Sequence, residues 1–186
     1  MPPNSADTCP PDLLANLLAS LRQSDATAMA RLDGLLAAYP GDAQLHFLKG
    51  SLLAGAEQYP AALEAMARAL AIKPDYPLAR FQLGLLQLTS GMPVQAEATW
   101  AALDGLPDDA PLKLFASGLK HLIHDEFDAT VELLRRGIAL NTEIPVLNRD
   151  MELVLSRIGE REPTKAEDLI SPTHLLLRHY SDGRPH

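Results

Sequence analysis

Small and large apolar positions recur along this chain at one constant, long interval. Gly50, Gly84 and Gly118 stand 34 residues apart, and Phe47, Phe81 and Phe115 keep the same step. A second set holds register with them: Tyr59, Pro93 and Phe127; Ala62, Ala96 and Thr130; Met66, Trp100 and Leu134. A fixed period of this length marks an array of supersecondary units. One step further back lies a degenerate copy, with Ala28, Leu32, Leu35 and Pro40 where Ala62, Met66, Ala69 and Pro74 stand in the next unit. Asn16 takes the glycine place there.

The spacing inside each unit predicts two helices. Phe47, Ser51 and Ala54 fall at i, i+4 and i+7, and so do Phe81, Leu85 and Leu88, then Phe115, Leu119 and Leu122; each set shares one helical face. In the second half Tyr59, Ala62, Met66 and Ala69 fall at i, i+3, i+7 and i+10, again one stripe. A glycine or alanine sits where the two stripes cross, so the helix axes can approach to about 8–10 Å. Between units lie Tyr39–Asp42, Lys73–Pro77, Leu106–Pro111 and Asn141–Pro145. Proline stops a helix and Asp or Asn caps the next one, so each segment reads as a turn. Val146, Leu147, Met151, Val154, Leu155 and Ile158 continue the helical period and predict a capping helix over 145–158.

These residues resemble the tetratricopeptide repeat family, a 34-residue helix-turn-helix with Leu-Gly in its first helix, Ala-x-x-x-aromatic in its second, then Pro. Leu83-Gly84, Gly91, Ala96 and Trp100 carry the likeness best; Gly50, Tyr59, Ala62, Met66, Ala69 and Pro74 carry it in the preceding unit. Lys49 and Ser117 depart from the Leu before glycine, and Thr130 and Gly137 replace small apolar residues. Gly137 costs its helix about 1 kcal/mol against Ala, so the third full unit is expected to be the looser one. The resemblance implies an all-α fold, a right-handed α-solenoid of such repeats with a C-terminal cap. Its segments are a flexible 1–8, a degenerate unit 9–42, full repeats 43–76, 77–110 and 111–144, the cap 145–158, and a flexible tail 159–186 holding an apolar stretch, Leu169–Tyr180.

The resemblance also implies a concave groove lined by first helices. Here it would hold Phe47, Ser51, Leu78, Phe81, Leu85, Leu88, Leu112, Phe115, Leu119 and Leu122. The three Phe rings offer themselves to a partner, pack between neighbouring first helices, or do both, half buried and half offered. Phe, Leu, Ser and Ala on the inward stripe disfavour a clamp for a terminal carboxylate and favour an apolar or amphipathic peptide or helix. The tail Leu169–Tyr180 is one candidate occupant, by folding back and occluding the groove; its other readings are a short recognition segment for something else and a disordered tail with a chance Leu triplet.

Composition narrows the partner class. The 186 residues carry a formal charge of -8 with no run of Lys or Arg, which offers phosphates no electrostatic footprint and argues against nucleic acid. Asp104, Asp108, Asp109, Asp125, Glu126, Asp128 and Glu132 face only Lys113 and Lys120 in one stretch, a solvated loop region or a dock for a basic surface. No leader and no apolar run of ~18 residues is seen, so membrane association is not expected and the expected location is cytoplasmic. Catalytic signals are thin. His121 and His124 share a helical spacing near Asp125 and Glu126, which fits a solvated helix end better than a metal site. His174 and His179, five apart, share no face. Cys9, the single cysteine, reads as a free thiol in a mobile N-terminal segment. No metal, cofactor or catalytic residue is expected. A non-enzymatic scaffold or adaptor is the expected function. Its rivals are a small acidic chaperone of the class that escorts translocators of type III secretion, similar in size and architecture, and an enzyme using His121 and His124 or Cys9.

Overall fold

The computed structural model describes residues 8–22 and 27–159, and among them it is all helical, with no strand. The apolar stretch Leu169–Tyr180, with His174 and His179, and residues 1–7 lie outside the described residues. The chain falls into two compact units that divide between Tyr76 and Pro77.

The first unit contains α1 (Pro11–Arg22), α2 (Ala28–Ala38), α3 (Ala43–Gly55) and α4 (Tyr59–Ile72). Helix α1 packs on α2, α2 on α3 and α3 on α4. Leu17, Leu32, Leu45 and Leu48 form one buried cluster with Cys9, flanked by partly buried residues such as Leu18, Leu36 and Tyr39. Asp42 organises the entry to α3. Its Oδ1 accepts from the backbone N–H of Gln44 at 2.8 Å and of Leu45 at 3.1 Å, while Oδ2 accepts from the Cys9 N–H at 2.8 Å. One N-cap carboxylate thus satisfies two orphan donors and anchors the segment before α1. Cys9 is therefore part of the core rather than of a mobile terminus, because its amide has a buried acceptor and its side chain an apolar cluster to join. The degenerate hairpin also drifts from the ruler: α2 starts 17 residues after α1, whereas α4 starts 16 after α3.

The second unit contains α5 (Pro77–Thr89), α6 (Pro93–Trp100), α7 (Pro111–Ile123), α8 (Phe127–Leu140) and α9 (Pro145–Gly159). Helix α5 packs on α6, α7 on α8, α8 on α9, and α5 also touches α7. Helices α3, α5, α7 and α9 begin at residues 43, 77, 111 and 145, and α4, α6 and α8 at 59, 93 and 127. Both series advance by 34. Pro77, Pro111 and Pro145 open three of these helices, where a missing N–H costs nothing. Helix α6 is shorter than α4 and α8, since a 3-10 turn, Ala101–Gly105, continues it. Three features hold this tighter turn: Leu103 is 2% exposed, Lys120 pairs with Asp104 at 2.7 Å, and Lys113 Nζ donates to the Leu106 carbonyl at 2.9 Å.

The turn inside each hairpin repeats as faithfully as the helices do. Glu57, Gly91 and Asp125 occupy the same place and all have positive φ, at 60°, 74° and 59°. The residue after each closes the preceding helix: Gln58 N–H donates to Leu53 O at 2.9 Å, Met92 to Gln87 O at 2.9 Å, and Glu126 to His121 O at 3.0 Å. This six-to-one bond, with a left-handed residue before it, is a Schellman cap that satisfies otherwise orphaned carbonyls. Only one of the three positions is glycine, so two repeats carry a side chain in a conformation that glycine would adopt more cheaply.

Close packing explains two glycines. A Cβ on Gly84 would lie 2.2 Å from Trp100 Nε1, and one on Gly137 would lie 2.5 Å from Phe115 Cε1. The Trp100 indole lies on Gly84 and donates to the Phe81 carbonyl at 3.0 Å. Against the helix-propensity cost of Gly137 stands a packing role. The residue gives up side-chain volume that the Phe115 ring then fills, and two turns earlier in α8 Thr130, 0% exposed, bonds back to the Glu126 carbonyl at 3.0 Å.

Candidate functional site

Helical periodicity places the ten predicted groove residues on one face of each first helix, and the structure sends most of that face inward. Phe47, Ser51, Phe81, Leu85, Leu88, Phe115, Leu119 and Leu122 are all buried. The rings act as core. Phe81 sits 6.1 Å from Phe115 and 6.2 Å from Trp100, centroid to centroid, and Phe47 lies 5.3 Å from Tyr76 within the first unit. Aromatic pairs at such distances contribute roughly 0.5–1.5 kcal/mol beyond their area. Ser51 is satisfied internally, its Oγ donating to the Phe47 carbonyl at 3.0 Å. In the structure the three rings are buried among neighbouring side chains, which is the packing arrangement. For Phe115 the physical reason is volume, since Gly137 on the second helix leaves space that the ring fills, and a Cβ there would lie 2.5 Å from the ring's Cε1.

Leu78 and Leu112 stand apart from the other eight. Both are half-buried. Each is the second residue of its helix, after Pro77 and Pro111, and Val146 repeats the arrangement after Pro145 in α9, also half-buried. Three helices of the second unit thus carry the same proline-apolar pair at their N-terminal ends. These apolar side chains retain contact with solvent and remain available for further burial.

The charged surroundings are more compensated than their sequence suggests. Lys113 pairs with Asp108 and Lys120 with Asp104, each at 2.7 Å, so both cations of the acidic stretch are engaged locally. The hydrogen bond and positive charge of Lys113 hold the Asp108 carboxyl below its usual range. His121 and His124 do not converge. His121 Nδ1 meets Glu126 across the turn, whereas His124 Nε2 meets Glu97 of α6 at 2.7 Å. Among the described residues no set of three or more His, Cys, Asp or Glu side chains is gathered for a metal ion. The Cys9 thiol, only 8% exposed, is pushed up from its ordinary pKa by burial first, then by Asp42 and Asp12. Burial and a raised pKa both lower its thiolate fraction and its reactivity.

The sequence pattern missed one concavity. An open apolar crevice of about 310 Å³ lies between α1 and α2, lined by Leu13, Asn16, Leu17, Arg31, Gly34 and Leu35. The absent side chain of Gly34 helps to keep it open, since a Cβ there would meet nothing within 4 Å. Among the described residues no helix is long and apolar enough to cross a membrane. Comparison with protein-family models, with curated proteins and with solved structures finds no match.

Proposed function

We propose that this chain is a tetratricopeptide-type α-solenoid acting in the cytoplasm as a non-enzymatic interaction module, which receives an apolar or amphipathic segment of another polypeptide. One observation carries the reading: helix starts advance by 34 residues through α3 to α9, and the same left-handed turn recurs at Glu57, Gly91 and Asp125. Repeating hairpins of this kind repeat their surface positions too, so one side chain type presented once per unit becomes a periodic surface that an extended or helical partner can match. Leu78 and Leu112 are the predicted groove residues that keep solvent contact, and Val146 extends their pattern.

Further burial of two half-exposed leucines is worth about 2 kcal/mol together, which is roughly thirty-fold in Kd. The test is selection of a displayed peptide library on the wild-type protein, followed by titration of the selected peptides against the Leu78→Glu/Leu112→Glu double variant. Amphipathic peptides that lose roughly thirty-fold or more in affinity, at unchanged helical circular dichroism, are the expected result. Selection of no peptide, or of peptides that bind the double variant equally well, overturns the reading.

A further inference from the structure

We draw no further inference here: the strongest candidate, the apolar crevice of about 310 Å³ between α1 and α2, carries nothing because the guanidinium at its edge, Arg31, is already bonded to Ser20 Oγ and nothing in the structure shows what covers its leucine floor.

Discussion

Replacing Gly84 by alanine tests the packing of the second unit at its tightest point. Helix propensity alone favours the substitution by about 1 kcal/mol in the middle of a helix such as α5. Sterics oppose it. The new methyl carbon would lie 2.2 Å from Trp100 Nε1, 2.5 Å from Cε2 and 2.7 Å from Cδ1, so the indole must retreat by roughly 1 Å to reach ordinary contact. Overfilling a packed core costs about 1–3 kcal/mol. Retreat also breaks the 3.0 Å bond from Trp100 Nε1 to the Phe81 carbonyl, and a buried donor left without its acceptor costs about 1–3 kcal/mol more. The balance is a loss of about 3 kcal/mol, which for a chain of this length lowers Tm by roughly 6–12 °C. Urea unfolding followed by circular dichroism and by fluorescence of the single tryptophan measures it directly. Gly34→Ala is the matched control, because a Cβ there meets nothing within 4 Å. It is expected to gain about 0.5–1 kcal/mol. Combining Gly84→Ala with Trp100→Leu makes room for the methyl group, so the two losses are expected to be less than additive. If Gly84→Ala gains stability as Gly34→Ala does, the indole is not seated on Gly84 and the stated packing is wrong.

Other consequences are as specific. Glu57→Gly is expected to stabilise the fold by about 0.5–1 kcal/mol by relieving its left-handed backbone, Asp125→Gly by less because Asp tolerates that region better, and Gly91→Ala to cost about 1 kcal/mol; three chemical-denaturation curves settle the order. Removing the Asp42 carboxylate in Asp42→Ala is expected to cost about 2 kcal/mol through the α3 cap and the orphaned Cys9 amide. In the same variant Cys9 should react faster with a thiol reagent at pH 8, and an unchanged rate would show that the carboxylate does not secure that segment. Tyr76 is pushed up to about 12, by burial first and then by the Asp42 charge. A group harder to ionise when folded contributes stability that is intact below its unfolded pKa near 10 and is lost as pH rises towards 12. Stability should therefore decline across that window in the wild type and decline less in Tyr76→Phe, as read by urea midpoints at pH 9, 10 and 11.

Much of the helical framework is readable in order along the chain, because its causes are local. Prolines at 77, 111 and 145 can only open helices where they stand, Asp42 is shaped to cap one, and stripes at i, i+3 and i+7 need no knowledge of the partner that covers them. The recurring small residue also marks where the two stripes cross, and in the structure Gly50 meets Met66, Gly84 meets Trp100 and Gly118 meets Leu134 there. What lay opposite each stripe was not visible. Residues Phe81 to Leu86 are buried in succession, including Gln82, so the middle of α5 is enclosed although its periodicity marks one apolar face, while Leu78 near its start keeps contact with solvent. The same uncertainty separated Phe115, which fills the space above Gly137, from Leu112 one turn earlier, which keeps contact with solvent. Nor did anything near Cys9 in the chain announce that its amide would find Asp42, 33 residues away. A period records which side chains share a face, whereas burial depends on atoms that other segments bring to that face. Sequence thus determined the helices and their spacing, and tertiary packing alone decided which of their apolar residues became core and which kept contact with solvent.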